Sequence, residues 1–439
     1  MSFCLAIDIG ASSGRHILAQ EINGKMECTE IYRFENGFNN VNGNLEWDIE
    51  SLTNNVLEGL KKCSELGKIP TTVAIDTWGV DYVLFDAQNK EILPAVAYRD
   101  ARTANIPEEI DKIIPPSELY AINGIQRQPY NTIYQLYCDA KSGKLEKAEK
   151  FLMIPEYLSY RLTGVMKNEY TNASTTALLN AKERNWDIDL INKLGIKTSI
   201  FGDLNEPGTV IGNLKPEIQE YVGFDTTVIF APSHDTASAV AACKLEGHSM
   251  YISSGTWSLI GAVNEYPVLT DSALQANFTN EGGVNKTFRF LKNIMGMWLF
   301  QNIRKNLNKK YTYDEMMFMA QKSTYTKTFN PNDERLLAPE NMIDAIKDCL
   351  EESDIEIADL LSSVYHTLAK SYSKVVKEVE DITGEKVDSI NIVGGGSKDV
   401  YLNELTQKYT GTKVFTGPVE ATAIGNLKTQ FAYLNINVN

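Results

Sequence analysis

The chain has 439 residues, enough for two domains of ordinary size. Hydrophobic residues make up 43 % of it and charged residues 23 %, a globular balance that excludes disorder as the main state. With 42 Lys and Arg against 57 Asp and Glu, the formal net charge is −15, which gives no support for nucleic-acid binding because phosphate contact needs a basic patch.

The sequence carries no pattern typical of membrane insertion or secretion. No apolar run approaches the roughly 20 residues of a membrane span. Asp8 interrupts the first apolar stretch, where a signal peptide needs its hydrophobic core. The six cysteines are scattered without a CxxC pair, which disfavours a disulfide framework and a zinc site. We therefore expect a cytoplasmic protein that has no membrane and no nucleic acid as a partner.

The first part of the chain is predicted to be rich in strands. In chain order the patterns predict strands at 3–9, 14–20 and 26–34, a helix at 49–66, and strands at 71–76 and 82–86. Asn23-Gly24 is typical of a tight hairpin between the second and third strands. A first turn that leads into a second strand differs from the βαβ order of a dinucleotide-binding domain.

The second half repeats this theme. The predicted elements are a strand at 227–231, a helix at 237–243, strands at 250–254 and 257–263, a helix at 357–382, a strand at 388–393, a helix at 398–409, a strand at 413–415 and a helix at 420–434. Two strands flank a Gly/Ser/Thr turn in each half, so duplication is one explanation and chance the other. A polar stretch at 244–248 predicts domains of residues 1–243 and 244–439.

Three turns rich in glycine and hydroxyl residues are candidate phosphate sites, because small residues let backbone N–H groups approach phosphate oxygens. The first runs from Gly10 to Arg15, and Asp8 before it could hold Mg²⁺ through water. An ordinary β-turn explains it equally well. A hairpin turn is favoured for 253–256. For 394–397, a nucleotide over the turn is favoured over close helix–strand packing, and no Walker pattern follows.

Ser233-His234-Asp235-Thr236 follows a predicted strand and precedes a helix. A carboxylate in this position suits a general base that takes a proton from an attacking hydroxyl. The alternative is a helix N-cap, which the local sequence slightly favours, and one residue can serve both purposes. Adjacent Ser, His and Asp cannot form a hydrolase triad by themselves. Motifs around Trp78, Arg99 and Asn293 suit a polyhydroxylated ligand, although each alone reads more safely as surface or packing.

Taken together, and in this order, the motifs resemble the FGGY family of sugar kinases within the actin-like ATPase superfamily. The carrying motifs are IDIGASSGR (7–15), IDTWGVDY (75–82), AYRDAR (97–102), IPEYLSYRLTG (154–164), EYTNAST (169–175), SHDTASAV (233–240), SSGTWSL (253–259), TNEGG (279–283), LKNIMGMWLFQ (291–301), NPND (330–333), VGGGS (393–397) and GPVEATAIGN (417–426). They extend almost from end to end of the chain. As a set they are highly specific, although each is weak alone.

The resemblance implies an α/β fold of two actin-like (ribonuclease H-like) domains that close over a cleft. It implies Mg²⁺ with ATP as phosphoryl donor, for which Asp8 remains the candidate ligand. ATP contacts are implied for Ala11, Ser12, Ser13, Gly14, Arg15, Thr256, Gln301 and Gly395. Sugar contacts are implied for Gly79, His234, Asp235, Thr236 and Asn293, with Asp235 as the base that deprotonates O1.

The implied substrate is a small ketose, and the sugar-side motifs favour L-rhamnulose, phosphorylated at O1. The alternatives are a family kinase for another ketose or polyol, such as fuculose, xylulose or glycerol, and an actin-like ATPase that binds without transferring phosphate. A monomer and a homodimer are both compatible with the sequence. Family members continue for some tens of residues beyond the last predicted helix, whereas this sequence ends at Asn439. If such a tail supports the fold, we expect the stability or the domain closure of this chain to differ from that of those family members.

Overall fold

The computed structural model describes residues 2–438. The strands before residue 242 are β1 (Phe3–Ile9), β2 (Ser13–Ile22), β3 (Lys25–Glu35), β4 (Phe38–Val41), β5 (Asn44–Trp47), β6 (Pro70–Thr77), β7 (Tyr82–Phe85), β8 (Glu91–Ile92), β9 (Lys150–Met153), β10 (Asn168–Glu169), β11 (Leu179–Asn180), β12 (Asn185–Trp186), β13 (Leu204–Asn205), β14 (Val210–Asn213) and β15 (Thr227–Ile229). The helices there are α1 (Ile49–Glu65), α2 (Ile106–Asp111), α3 (Pro116–Asn123), α4 (Thr132–Lys141), α5 (Ile154–Thr163), α6 (Tyr170–Ala173), α7 (Ile188–Lys193), α8 (Pro216–Val222) and α9 (Asp235–Ala241).

The rest of the chain is richer in helix. Its strands are β16 (Ser249–Ser254), β17 (Trp257–Asn264), β18 (Thr279–Gly282), β19 (Phe288–Met295), β20 (Ser389–Val393) and β21 (Lys413–Thr416). Its helices are α10 (Asp271–Gln275), α11 (Trp298–Asn306), α12 (Tyr313–Lys322), α13 (Met342–Leu350), α14 (Ile357–Thr383), α15 (Val400–Thr410) and α16 (Ala421–Tyr433). None of these helices in 2–438 is long and apolar enough to cross a membrane.

Two compact units make up the chain. The first comprises residues 1–242, 264–290 and 422–439, and the second comprises 243–263 and 291–421. The chain therefore passes between the units four times, and α16 returns almost entirely to the first unit. The predicted domains at 1–243 and 244–439 divide the chain in another way and stay a prediction.

A six-stranded sheet in the order β14-β15-β6-β1-β2-β3 forms the centre of the first unit. Strand β1 pairs antiparallel with β2 and parallel with β6. The register places Asp8 opposite Arg15 on one side and opposite Asp76 on the other. The hairpin at Asn23-Gly24 forms as predicted, with both residues at positive φ.

Helices cover both faces of this sheet. One face packs in a large apolar cluster with residues of α1 and α5. On the other face Ala423, Leu427 and Phe431 of α16 pack against Cys4 and the neighbouring small side chains of β1 and β2. A sheet buried on both faces needs apolar residues at successive positions, which explains why β1 is almost continuously apolar until Asp8.

The sheet of the second unit repeats the central arrangement. From β19 onward its order is β19-β17-β16-β20-β21, with β16 antiparallel to β17 and parallel to β20. These relations match those of β1 with β2 and β6, which agrees with the repeated strand–turn–strand pattern in the sequence. The long helix α14 packs against α12 and α15 through its apolar stripe. The predicted α/β fold of two related units is thus confirmed.

Candidate active site

The first candidate region lies where strands β6 and β15 of the first unit end. The backbone N–H of Thr77 donates to the carbonyl oxygen of Ser233 at 2.9 Å, which continues the parallel pairing to the end of both segments. Helix α9 begins at Asp235, and its N-cap residue is His234, without a side-chain capping bond. Asp235 is therefore a first-turn residue and not the cap that the local sequence also allowed.

The side-chain contacts of the Asp235 carboxylate all fall on one oxygen, Oδ1. Thr236 Oγ1 donates to Oδ1 at 3.0 Å, and His234 Nε2 lies 3.3 Å from the same atom. The side chain is 32 % exposed, so a ligand can reach it. Loss of solvation within the surrounding protein is the main cause, and the negative charge of Asp8 the second cause, of the rise in the pKa of Asp235 to about 7. A carboxylate with such a pKa suits proton abstraction near neutral pH.

Asp8 and Asp76 form a second acidic pair beside it. Arg15 binds Oδ2 of Asp8 through Nε at 2.9 Å and Nη2 at 2.8 Å. Asp76 is completely buried, and burial together with the Asp8 charge raises its pKa well above the ordinary value. Its Oδ2 accepts a hydrogen bond of 2.6 Å from Asn426, while its Oδ1 has no hydrogen-bond partner in the described chain. Such an orphaned buried oxygen is costly unless a ligand completes it.

The buried side chains of Glu169 and Asn172 hold the backbone next to Asp235 in place. The Glu169 carboxylate accepts bonds from the N–H of Thr171 at 2.8 Å and the N–H of Ser233 at 3.2 Å. Asn172 Nδ2 donates to the carbonyl oxygens of Ser233 at 3.2 Å and Trp78 at 3.3 Å. The EYTNAST motif thus links the end of β15 to the turn that follows β6.

That turn has an unusual backbone. Val80 has a φ of 68°, which is a rare conformation for a β-branched residue. Thr175 Oγ1 lies 3.0 Å from the Val80 N–H, and Thr132 Oγ1 donates to the Val80 carbonyl at 2.7 Å. A Cβ on Gly79 would lie 2.8 Å from Thr175 Oγ1, so the turn needs glycine there. Strain held by specific bonds is typical of a functional site.

The residues of the turn between β1 and β2 differ in their exposure to solvent. The Gly10 N–H donates to the Ser13 carbonyl at 2.9 Å, which closes the turn. Ser12 is exposed, and Ala11, Ser13 and Arg15 are half-buried. Gly14 is buried, and a Cβ there would lie 2.1 Å from the Phe34 ring. Glycine at this position therefore serves packing, while the exposed part of the turn is free to meet a phosphate.

The second unit contains its own candidate site beside β16 and β20. Gly394 has a φ of 84°, and a Cβ on Gly396 would lie only 2.0 Å from Ser254 Oγ. A Cβ on Gly395 would meet nothing within 4 Å. The first and third glycines of the GGG turn thus permit close packing on β16, whereas Gly395 keeps an open face.

A cavity of about 590 Å³ lies next to this open face. It is lined by Gly255, Met297, Gln301, Arg304, Thr312, Tyr313, Asp314, Met317, Gly395, Gly396, Lys398 and Asp399. This volume falls in the range of cofactor and nucleotide sites. Thr256 is exposed and is not among the lining residues, but its carbonyl accepts from Gly296 N at 3.1 Å, next to the cavity residue Met297.

Two domain models of one protein family match this chain. The N-terminal domain of the FGGY family of carbohydrate kinases matches residues 3–242, and its C-terminal domain matches residues 250–433. This chain belongs to the FGGY family of carbohydrate kinases. Membership of this kinase family disfavours the alternative of an actin-like ATPase that only binds.

Named relatives within the FGGY family are close. A protein named rhamnulokinase from Halalkalibacterium halodurans is 45 % identical over 99 % of this chain and 94 % of its own. A rhamnulokinase from Bacillus subtilis is 42 % identical over 97 % of this chain and 89 % of its own.

Solved structures share the fold. A ligand-bound xylulose kinase from Lactobacillus acidophilus has a TM-score of 0.84 at 18 % identity, covering 100 % of this chain and 91 % of that one. Plasmodium falciparum glycerol kinase with ADP has a TM-score of 0.79 at 16 % identity, covering 99 % of this chain and 90 % of that one. At these low sequence identities the structural similarity supports the fold alone.

The predicted site residues of this FGGY kinase fall into two groups. In the first unit, the end of the sheet brings together Asp8, Arg15, His234, Asp235 and Thr236, with Gly79 linked to them through Asn172 and Thr175. In the second unit Gln301 and Gly395 share the cavity. Asn293 is half-buried outside the cavity lining, and its Oδ1 is buried without a hydrogen-bond partner in the described chain. The roles assigned to these residues stay predictions.

Sequence reasoning assigned no role to two charged residues that contact His234. Arg289 Nη2 lies 2.9 Å from His234 Nδ1, and Glu281 Oε2 lies 3.0 Å from the same Arg289 nitrogen. One sequence signal was available, because Arg289 is a lone charge between Phe288 and Phe290 in a predominantly apolar run. A buried cation in an apolar strand needs a specific partner.

Proposed function

We propose that this chain transfers the γ-phosphoryl group of Mg-ATP to the O1 hydroxyl of L-rhamnulose. The observation that carries the proposal is the Asp235 carboxylate, reachable at the start of α9, with one oxygen held by Thr236 and a pKa near 7. The acceptor is taken from the relatives named rhamnulokinase, which match almost the whole chain at up to 45 % identity.

In the proposed reaction Asp235 is the general base. The acceptor O–H bond breaks as its oxygen bonds to the γ-phosphorus, the proton passes to Asp235, and the bond from phosphorus to the bridging oxygen of ADP breaks. Phosphoryl transfer needs positioning and charge neutralisation more than covalent help from the protein. His234 and Thr236 flank the carboxylate, and the strained turn at Gly79 and Val80 lies beside the same backbone. We propose that Gly79, His234 and Thr236 bind sugar hydroxyls.

The nucleotide is assigned to the cavity of the second unit. Gly395 exposes backbone without a side chain, and Gln301 adds an amide that can hydrogen-bond a base or ribose. The hydroxyl-rich turns at 11–15 and at Thr256 are proposed to meet the phosphates through backbone N–H groups. Arg15 stays cationic in its ion pair with Asp8, and we propose that its N–H groups donate hydrogen bonds to a phosphate.

The acidic pair in the first unit fits a magnesium ion. Mg²⁺ is usually held by one or two carboxylates together with water and substrate phosphates. Asp8 and Asp76 supply two carboxylates in register, and Asp76 Oδ1 has no other partner in the described chain. No cluster of three or more His, Cys, Asp or Glu side chains able to hold a metal exists in the described part, so phosphate and water would complete the shell. The ion would neutralise charge on the transferring phosphate.

ADP release with Mg-ATP, measured against L-rhamnulose, L-fuculose, D-xylulose, L-ribulose and glycerol, tests the function. We expect L-rhamnulose to give by far the largest kcat/KM, and the product to carry phosphate on C1 by ³¹P–¹H correlation. Preference for another acceptor would keep the mechanism and replace the substrate. ATP hydrolysis that is indifferent to every sugar would overturn the proposed function.

We further propose a cytoplasmic enzyme that works as a monomer or a homodimer. All six cysteines are free thiols, which suits a reducing compartment. Gel filtration with light scattering distinguishes the two assembly states.

A further inference from the structure

Arg289 is the largest fully buried side chain among the described residues. Its Nε donates to the carbonyl oxygen of Gly282 at 2.9 Å, and its Nη2 lies 2.9 Å from His234 Nδ1. Glu281 Oε2 lies 3.0 Å from Nη2 and balances the charge. Burying a cation this deeply costs desolvation free energy unless the cation is paired and hydrogen-bonded. The contact with His234 is therefore one of the interactions that stabilise Arg289 in the interior.

The contact determines which nitrogen of His234 carries the proton. A guanidinium has only N–H donors, so Nδ1 must accept the hydrogen bond and carry no proton. Glu281 Oε2 is 3.5 Å from Nδ1, too far to compete with Arg289 at 2.9 Å. Burial and then the positive charge of Arg289 lower the pKa of His234 well below its usual value, so the ring is neutral. A neutral ring with a bare Nδ1 has its proton on Nε2.

The Nε2 nitrogen of His234 lies beside the Asp235 carboxylate. Nε2 lies 3.3 Å from Asp235 Oδ1, the atom that also accepts from Thr236 at 3.0 Å. Thr236 and His234 therefore both lie at Oδ1, and Oδ2 has no side-chain partner among the described residues. The charged groups that contact the His234 ring are Asp235, Glu281 and Arg289.

We infer that Arg289 is a positioning residue of the transfer reaction, which fixes His234 as the Nε2–H tautomer and thereby leaves Asp235 Oδ2 to receive the acceptor proton. Arg289 does not touch the reacting atoms and acts through His234. The inference rests on the proposed role of Asp235, but the tautomer itself can be measured without any turnover.

Long-range ¹H–¹⁵N spectra of the full chain with ¹⁵N-histidine test the tautomer directly. The chain has four histidines, so the spectrum is sparse, and H234Q assigns the signal. We expect Nε2 protonated and Nδ1 bare, without titration from about pH 5.5 to about pH 8.5. A proton on Nδ1, or conversion to imidazolium in this range, would overturn the inference even if the enzyme phosphorylates L-rhamnulose.

The variants R289M and R289K test the positioning role. We expect R289M to lower kcat about tenfold with the KM for ATP unchanged and to mix the His234 tautomers, while R289K, which keeps a cationic donor, recovers part of both effects. The matched control is R102K, at a largely buried arginine that pairs with Asp139 at 2.6 Å and, within residues 2–438, makes no hydrogen bond or ion pair with a histidine. It should leave the His234 spectrum unchanged.

The outcomes separate this inference from the proposed function. R289M that folds like wild type and keeps full kcat would overturn the positioning role. A wild-type chain that phosphorylates no sugar would overturn the proposed function, whereas its His234 spectrum would still report the tautomer. Because that spectrum needs no substitution at Arg289, the test also holds if R289M fails to fold.

Discussion

The side-chain amide of Asn426 donates a 2.6 Å hydrogen bond to Oδ2 of Asp76, which joins helix α16 to the end of central strand β6. The same amide nitrogen lies 3.2 Å from the carbonyl oxygen of Ala74. One turn later Gln430 donates to the carbonyl oxygen of Leu5 at 2.9 Å. The polar face of α16 therefore binds the two strands that carry Asp8 and Asp76, and it contributes to the shape of the acidic pair from the far end of the sequence.

Replacing Asn426 with alanine is expected to destabilise the first unit. Asp76 would lose the hydrogen bond to its carboxylate and remain completely buried, which costs about 1–3 kcal/mol. Urea unfolding measures the loss. N213A is the matched control, because the Asn213–Asp225 bond of 2.8 Å is exposed and its loss should cost much less. Equal effects of the two variants would contradict the structural role of Asn426.

Asp235→Asn should nearly abolish phosphoryl transfer. Asparagine keeps an acceptor for Thr236 but cannot take a proton, so kcat should fall by about 10²–10⁴-fold. The Kd for ATP, measured by calorimetry, should stay within about twofold of wild type because the proposed nucleotide cavity lies in the second unit. D203N, at an exposed aspartate, is the control. Near-normal turnover in D235N would remove Asp235 from the mechanism.

The rate should depend on pH through the same carboxylate. The base works only when it is ionised, and its pKa of about 7 means that kcat/KM rises with pH up to neutrality and then levels off. At saturating Mg-ATP, the slope below neutrality should approach tenfold per pH unit. The residual rate of D235N should lack this slope, which separates Asp235 from titration of the nucleotide. A flat wild-type profile across this range would contradict the assignment.

Asp235 should also destabilise the fold at high pH. Its folded pKa of about 7 lies above its ordinary value of 3.8, so the folded state keeps a proton that the unfolded state has released. Stability from this group is present below the ordinary pKa and declines as pH rises toward 7. D235N cannot ionise and should therefore gain stability relative to wild type between about pH 5 and about pH 8. Urea midpoints at both pH values test the sign, and an unchanged difference would contradict it.

Two neighbouring glycines should respond differently to alanine. A methyl on Gly395 meets nothing within 4 Å, so G395A should keep the wild-type Tm and weaken ATP binding, by about tenfold, because it fills the open face of the cavity. A methyl on Gly396 collides with Ser254, so G396A should destabilise the chain by about 1–3 kcal/mol. Thermal unfolding and ATP titration of both variants distinguish the cases. Unchanged ATP affinity in G395A would move the nucleotide away from this turn.

Predictions from the sequence were best where an element is long and strongly patterned. The strands at 3–9 and 26–34 and the helix at 357–382 form within one or two residues of the predicted bounds. Between residues 86 and 227 the chain uses helices of up to ten residues and strands of two to four residues, and none of these elements was predicted. Short elements depend on tertiary contacts more than on their own periodicity, so a local pattern does not reveal them.

The helix after the GGG turn shows a similar limit. It was predicted from Lys398, but residues 395–398 form a 3₁₀ turn and α15 begins at Val400, capped by the side chain of Asp399. The close approach of Gly396 to Ser254 imposes the tighter turn, and that neighbour lies more than a hundred residues away in the chain.

The fold class and the family could be predicted from the sequence because its motifs, taken as a set, resemble the FGGY family, while the small-residue turns and the Asp235 motif indicated the residue types that the chemistry uses. Which of these residues contact one another became visible in the three-dimensional structure. The contacts in question join side chains that are distant in the sequence or differently oriented. They are the hydrogen bond from Asn426 to Asp76, the contact of Arg289 with His234, and the approach of His234 and Thr236 to one oxygen of Asp235. Their effects depend on distance and burial, and no local pattern encodes either quantity.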